Sequence, residues 1–190
     1  ALGGLPPEEA LTADWMAQLR ELRVFSVPIA TLSGMEHAVN LEILALVDCG
    51  ITDISPLAGL GSLVEVYLSA NTISDISAAA GWTNAELVEI ASNDLSDITP
   101  LGGLMKVRQL LLGDNSISDL SPLSGLAGGA LRSLALGENL ISDVTPLGAL
   151  AGLESLNLAV NSISSLAPLF GIGASLTYLD AIRNQINTLS

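Results

Sequence analysis

The chain has 190 residues, of which 49% are hydrophobic and 14% are charged, and its mean hydropathy is +0.57. This length suits one domain, and the apolar content excludes an intrinsically disordered chain. Twenty acidic residues against six basic ones give a formal charge of −14, which disfavours nucleic acid and anionic membrane surfaces as partners. Residues 155–179 carry no charge, but asparagine, proline, glycine and serine are scattered through them. We therefore expect no membrane insertion.

The N-terminal residues carry the signals of a helix start. Prolines occupy positions 6 and 7, glutamates follow at 8 and 9, and Thr12 is a candidate N-cap. We predict a short helical cap over residues 5–18, in which Trp15, Met16 and Leu19 pack over the repeats that follow. We assign residues 1–18 to this cap and residues 19–190 to the repeats.

An asparagine then recurs in a fixed frame, at intervals of 22, 22, 24, 22 and 23 residues. Its positions are Asn71, Asn93, Asn115, Asn139, Asn161 and Asn184, and Cys49 stands one interval before the first. One copy of the surrounding apolar pattern reads Leu104, Val107, Leu110, Leu112, Asn115, Ile117, Leu120. Such a period is typical of a solenoid, in which each unit is stabilised by its neighbours. Residues 19–190 would form about eight units, the last one incomplete.

Each Leu-x-Leu segment predicts a short strand whose leucines point inward and whose other side chains point outward. We predict that the asparagines and Cys49 form an inward structural ladder, since a side-chain amide can satisfy turn backbone that no strand pairs. A thiol is a weaker hydrogen-bonding group, so the rung of Cys49 should be looser. Ala78-Ala79-Ala80-Gly81 interrupts the third unit, where other units carry Ser/Thr-Pro-Leu.

These motifs resemble the leucine-rich repeats of the 22-residue class found in internalin-like bacterial surface proteins, and the resemblance covers roughly residues 16–190. It implies an α/β solenoid, a right-handed superhelix shaped as an arc. The expected parts are a parallel β-sheet on the concave side, short 3-10 or extended segments on the convex side, and a short N-terminal helical cap.

The C-terminal unit predicts an open end. Leu176, Leu179, Ile186 and Leu189 would leave apolar groups and an edge strand uncovered, which natural proteins avoid. We expect either that the natural chain continues into a further C-terminal domain or that a partner covers this end.

The outward strand positions lie six, four and two residues before each ladder residue, and they would line a strip of about 34 Å. These 24 positions hold three of the six aromatic residues. We predict a partner-binding surface, because aromatic and aliphatic anchors among acidic groups are typical of such surfaces. Its candidate residues are Phe25, Ile43, Val47, Glu65, Tyr67, Leu87, Glu89, Gln109, Leu111, Asn157, Tyr178 and Asp180. The alternative is an inert scaffold whose site lies elsewhere.

The sequence gives little support for a metal site or a catalytic centre. Aspartates recur after the ladder at Asp53, Asp75, Asp97, Asp119 and Asp143. A cation ladder would use such a column, but the Asp-x-Ser/Thr context favours local turn bonds. Cys49 and His37 would have to converge to form a nucleophile and base, and Cys49 faces inward. We expect no catalytic residues, no metal site and no cofactor.

The resemblance implies a non-catalytic module that recognises a partner protein or glycoprotein, with a role in adhesion at the cell surface or after secretion. A second interpretation is a cytoplasmic adaptor, since the same repeat class includes a regulator of a serine/threonine phosphatase. A third is a structural solenoid, which the lack of an unbroken outward column of threonines disfavours.

Overall fold

The computed structural model describes residues 12–188. Eight strands form one open parallel sheet in chain order, so each strand bonds only to its neighbours in sequence. The strands are β1 (Glu21–Phe25), β2 (Ile43–Val47), β3 (Glu65–Tyr67), β4 (Leu87–Glu89), β5 (Gln109–Leu111), β6 (Ser133–Ala135), β7 (Ser155–Asn157) and β8 (Tyr178–Asp180). Short 3-10 helices return the chain along the other side: Met35–His37, Ser55–Leu57, Ser77–Gly81, Thr99–Gly103, Ser121–Leu126, Thr145–Ala149 and Ala167–Ile172. The predicted leucine-rich repeat solenoid is confirmed.

The N-terminal helix α1 (Ala13–Met16) packs on the first turn of the coil. The Thr12 hydroxyl accepts a hydrogen bond from the backbone N–H of Trp15 at 3.2 Å, as an N-cap does. Met16 is buried and Trp15 and Leu19 are half-buried against the core. The helix ends at Met16, before the predicted limit at residue 18, and residues 5–11 of the predicted cap lie outside the described part of the chain.

The inward side chains form one continuous core. Leu44, Leu46, Val66, Leu68 and their counterparts on β4–β7 are fully buried. Their partners across the coil come from the 3-10 segments, such as Leu57. At roughly 25 cal/mol per Å² of buried apolar surface, this stacking is the main stabilising contribution.

The ladder amides bond to the backbone of their own unit and of the preceding unit. The Asn115 Oδ1 accepts from the N–H of Leu95 at 2.9 Å, and its Nδ2 lies 3.0–3.2 Å from the carbonyl oxygens of Ile90, Leu112 and Gly113. Corresponding bonds are made by Asn71, Asn93, Asn139, Asn161 and Asn184.

Cys49 occupies its rung with a smaller set of bonds. Its Sγ lies 3.3 Å from the carbonyl oxygen of Val47 and 3.6 Å from that of Val24. The Asn71 Oδ1 accepts from the N–H groups of both Cys49 and Ile51 at 3.0 Å. The asparagine of the next rung, Asn71, therefore accepts hydrogen bonds from the backbone N–H groups around Cys49.

The residue before each ladder position has a left-handed backbone, with φ between 53° and 57°. These residues are Asp48, Ala70, Ser92, Asp114, Glu138, Val160 and Arg183, and Ser26 has the same backbone conformation at the equivalent position of the first unit. Val160 stands out because a β-branched side chain is poorly accommodated at positive φ.

Successive convex turns approach each other through backbone. A Cβ at Gly102 would lie 2.6 Å from the carbonyl oxygen of Pro122, whereas a Cβ at the adjacent Gly103 would meet nothing within 4 Å. Glycine at position 102 is therefore required by the spacing of the turns.

The third unit keeps the common path although it lacks the Pro-Leu pair. Ala79 stands where the preceding unit has Leu57, and Trp82 stands where it has Leu60. The Trp82 indole is fully buried, and its Nε1–H donates to the carbonyl oxygen of Leu57 at 3.0 Å. Ala79 is fully buried as well, so the unit combines a smaller side chain at one core position with a larger one three residues later.

Candidate recognition surface on the concave face

The outward strand residues form three rows along the sheet. The register pairs Ile43 with Glu65 and Glu65 with Leu87 in one row, and Tyr67 with Glu89 in the next. We call the 24 outward positions the concave strip. In a parallel sheet, paired residues on neighbouring strands lie about 4.8 Å apart, so the predicted residues of β1–β5 form one contiguous surface.

Tyr67 lies at the centre of this surface on β3. Its ring is half-buried, and its hydroxyl donates to Glu65 Oε2 at 3.0 Å. Burial is the main reason that the pKa of Tyr67 is raised, and the hydrogen bond to the Glu65 carboxylate adds to the effect. The phenol therefore stays neutral at physiological pH.

Glu89 lies beside Tyr67 on β4, and its contacts join two strands. The Ser69 hydroxyl donates to Glu89 Oε1 at 2.9 Å and accepts from the Ala91 N–H at 3.1 Å. Sequence reasoning missed Ser69, which is only 8% exposed although it occupies an outward position. The hydroxyl fixes the position of the Glu89 carboxylate.

Apolar side chains surround these polar groups. Ile43, Val47, Leu87 and Leu111 are half-exposed, and Phe25 at the end of β1 is 55% exposed. We call Phe25, Ile43, Val47, Glu65, Tyr67, Leu87, Glu89 and Leu111 the aromatic–acidic patch. Gln109, also a predicted site residue, is exposed next to Leu87 in the same row.

Basic side chains lie mainly along one rim of the sheet, directly before the strands. The rim pairs are Arg20–Glu42 at 2.8 Å, Arg108–Glu86 at 3.1 Å and Arg132–Glu154 at 3.5 Å. Exposed ion pairs of this kind contribute about 0–1 kcal/mol each, but they occupy three of the six basic residues. Arg23 pairs with Glu21 on its own strand, and Lys106 donates to Asn84 Oδ1 at 2.6 Å.

The middle of the strip is flat. Gly113, Gly137 and Ala135 present little side chain, and the predicted site residue Asn157 has an internal partner. Its Oδ1 accepts from the Ala159 N–H at 2.9 Å. This part of the surface separates the aromatic–acidic patch from β8.

The last strand carries the remaining predicted residues. Tyr178 is 55% exposed, while Asp180 Oδ1 accepts from the Ile182 N–H at 3.1 Å. Leu179 is 40% exposed although it holds an inward position, because no further described strand covers it. Five strand spacings, about 24 Å, separate Tyr178 from Tyr67, so the predicted residues form two groups.

The column of aspartates makes turn bonds. In each unit Oδ1 accepts from the N–H two residues ahead, at 2.7–2.8 Å. These turn aspartates are Asp53, Asp75, Asp97, Asp119 and Asp143. Hydrogen bonds from the turn lower the pKa of Asp53, Asp97 and Asp143. Within residues 12–188 no group of three or more potential metal-ligating side chains is found.

Cys49 and His37 lie in different environments. Cys49 is 1% exposed in the core, whereas His37 is exposed at the end of a 3-10 helix beside Glu36. The structure does not bring a second nucleophile or base into contact with the Cys49 thiol, whose described hydrogen bonds go to backbone.

The repeat, the inward amides and the single open sheet define a leucine-rich repeat protein. No protein-family model and no curated protein matches the sequence. An internalin (InlF) of Listeria monocytogenes is 38% identical, with a TM-score of 0.89 over 94% of this chain and 52% of its own. Internalin C2 of the same species is 27% identical, with a TM-score of 0.74 over 93% of this chain and 87% of its own. The protein is an internalin-like leucine-rich repeat protein, and it spans about half the length of the InlF structure.

A plant protein extends the comparison. The ectodomain of the membrane receptor kinase GASSHO1/SCHENGEN3 from Arabidopsis thaliana is 25% identical, with a TM-score of 0.72 over 86% of this chain and 20% of its own. That ectodomain was solved in complex with Casparian strip integrity factor 2. Among residues 12–188 of the present chain, no helix has the length and apolarity that a bilayer crossing requires.

Proposed function

We propose that the protein is a non-catalytic recognition module, which binds a partner protein or glycoprotein through its concave sheet. The observation that carries the proposal is the aromatic–acidic patch, where Tyr67 lies beside two hydrogen-bonded carboxylates and Phe25 exposes aromatic surface at the end of β1. Aromatic side chains held on a rigid element lose little conformational freedom on binding and are common anchors of interfaces.

The sheet supports this function by its rigidity. Each strand is bonded to its neighbours, and ladder amides hold the turns after β3 to β8, so the patch needs little ordering when a partner arrives. The plant ectodomain shows that a related solenoid can hold a protein ligand. For this chain we propose adhesion or another interaction outside the cell, with the cytoplasmic adaptor as the alternative.

Capture of partners from a cell extract tests the proposal, followed by affinity measurement with the purified partner. We expect Phe25→Ala and Tyr67→Ala each to weaken binding by about 1–3 kcal/mol, because each removes an anchor. Phe170→Ala is the matched control, since Phe170 is 64% exposed and lies in a 3-10 segment away from the strip. Binding that survives both strip substitutions would refute the proposal.

Location is tested on intact cells of the source organism. Added protease should digest a protein exposed at the surface, and secreted protein should be found in the medium. Protection from protease until the cells are lysed would favour the cytoplasmic adaptor.

A further inference from the structure

Glu65 and Glu89 are unusual among the glutamates of the described chain. The carboxylates of Glu21, Glu36, Glu42, Glu86 and Glu154 each have a basic side chain within 4.0 Å. Among residues 12–188, Glu65, Glu89 and Glu138 form no ion pair. Of these three, only Glu65 and Glu89 accept hydrogen bonds from side-chain hydroxyls, those of Tyr67 and Ser69. Their negative charge is therefore oriented by hydrogen bonds and not paired with a cation.

Few basic side chains are available to pair with Glu65 and Glu89. The nearest basic group on the strip is Arg23, two strands from Tyr67, and it is already engaged with Glu21. The other basic residues of the strands' rim are held in the rim pairs. Arg23 also acts electrostatically on Glu65 and Tyr67, but it forms no ion pair with Glu65 or Glu89. A cation in direct contact with both carboxylates therefore has to come from another molecule.

The surroundings of the two carboxylates define what kind of cation fits. Tyr67 lies on the same strand as Glu65, to which its hydroxyl donates, and in register with Glu89, so its side chain adjoins both glutamates. An aromatic face attracts a guanidinium or ammonium group, and two nearby carboxylates accept its hydrogen bonds. Leu87 and Leu111 offer apolar surface for the methylene stem and for a neighbouring apolar residue.

We propose that the partner segment docked on the aromatic–acidic patch presents a basic side chain, arginine or lysine, between Glu65 and Glu89 and against Tyr67. An apolar residue of the same segment packs on Leu87 and Leu111. This inference rests on the proposed function, because it names the chemistry of the partner that the concave sheet binds.

Short peptides test the proposal without the natural partner. The probes are Leu-Arg-Leu-Arg-Leu and the same peptide with citrulline, which has nearly the shape of arginine but no charge; both are acetylated and amidated. Titration into the ¹⁵N-labelled chain should shift backbone amide signals of β3 and β4. We expect the arginine peptide to bind about tenfold more tightly than the citrulline peptide, with each carboxylate contributing about threefold.

Two variants and a matched control locate the effect. Glu65→Gln and Glu89→Gln should each reduce the preference for arginine about threefold, with unchanged circular dichroism. Glu138→Gln removes the same charge from an exposed glutamate outside the strip, and it should leave the preference unchanged. Equal binding of the two peptides, no binding up to about 5 mM, or an equal effect of all three variants would overturn the inference.

The results separate this inference from the proposed function. If a captured partner depends on Phe25 and Tyr67 while the peptides show no charge preference, the recognition function stands and the basic side chain is wrong. If the peptides behave as expected but a captured partner ignores Phe25→Ala and Tyr67→Ala, the patch binds cations and the proposed function fails.

Discussion

Replacing Asn115 with alanine tests the ladder directly, because its bonds can be counted. The substitution removes the acceptor of the Leu95 N–H and the main donor to the Ile90 carbonyl, whose other amide contact, from Asn93, is 3.4 Å long. The carbonyls of Leu112 and Gly113 keep further donors, from the Asn139 amide and the Ser92 N–H. Two backbone groups are therefore left without their partner.

Each buried polar group left unsatisfied costs about 1–3 kcal/mol, and the Ile90 carbonyl counts at the lower end because it keeps the long contact from Asn93. Asn115→Ala should therefore lower the free energy of unfolding by about 2–4 kcal/mol. For a chain of this length that corresponds to a fall in Tm of roughly 5–15 °C. Urea titration followed by circular dichroism measures the loss, and hydrogen exchange should show faster exchange of the Leu95 amide, since its acceptor is gone.

Asn157→Ala is the matched control, because it is the same substitution on the other face of the sheet. Asn157 accepts one backbone hydrogen bond, so its loss should cost less than about 1.5 kcal/mol. Equal destabilisation by the two substitutions, or a neutral melt for Asn115→Ala, would refute the structural role of the ladder.

Four further changes test the packing and the turns. Gly102→Ala should destabilise by about 1–3 kcal/mol because the new Cβ meets backbone, and Gly103→Ala should have little effect; equal urea midpoints would contradict the close approach of the turns. Trp82→Leu should destabilise by about 2 kcal/mol or more through the cavity it opens beside Ala79, and adding Ala79→Leu should restore part of the loss in a double-mutant cycle. Val160→Gly should raise Tm because it relieves a β-branched residue from positive φ; a lower Tm would show that the side chain contributes more than the strain costs. The lowered pKa values of the turn aspartates Asp53, Asp97 and Asp143 mean that their folded carboxylates bind protons less readily than the unfolded ones. Their stabilisation is present above the ordinary aspartate pKa and is lost as the pH falls below about 4, so urea midpoints should fall with acidification, and Asp97→Asn should lessen the fall.

The periodic features of the fold could be predicted from the sequence because each unit repeats the same pattern of apolar residues and asparagine. The spacing of Asn71, Asn93 and Asn115 places an equivalent side chain on every turn of the coil. The alternation around Leu110 and Leu112 distinguishes inward from outward positions. The eight strands and the single sheet follow from these two patterns.

Features that depend on contacts between different positions of the repeat could not be predicted from the repeat pattern. The replacement of a leucine by Ala79 suggests a broken unit, and only the structure shows that Trp82, three residues later, is fully buried and bonded to the carbonyl oxygen of Leu57. Ser69 occupies an outward position by pattern, yet its bond to Glu89 and its burial depend on the side chain of the next strand. The rim pairs likewise join residues 22 positions apart.

The structure divides the predicted site residues into two separate groups. Phe25, Tyr67 and Tyr178 are equivalent in sequence terms, since all three are aromatic residues at outward positions. The structure puts Tyr178 on the last described strand, about 24 Å from Tyr67, with the flat surface around Gly137 between them. One side-chain oxygen of Asn157 and one of Asp180 accept hydrogen bonds from nearby backbone N–H groups. The aromatic–acidic patch is therefore the stronger candidate for the binding surface.

Stability and recognition depend on different residues of each strand. Inward side chains such as Leu68 and the amide of Asn71 contact the neighbouring turns. Tyr67, directly before Leu68, points outward to the surface on which we propose that a partner binds. Substitutions of Tyr67 or Glu89 should therefore change affinity with little change in Tm, and substitutions of the ladder should do the reverse. This separation explains how a chain with a fixed core can carry carboxylates that have no internal cation: the hydroxyls of Tyr67 and Ser69 hold Glu65 and Glu89 in place at small cost, and the unpaired charge is left for the surface that binds.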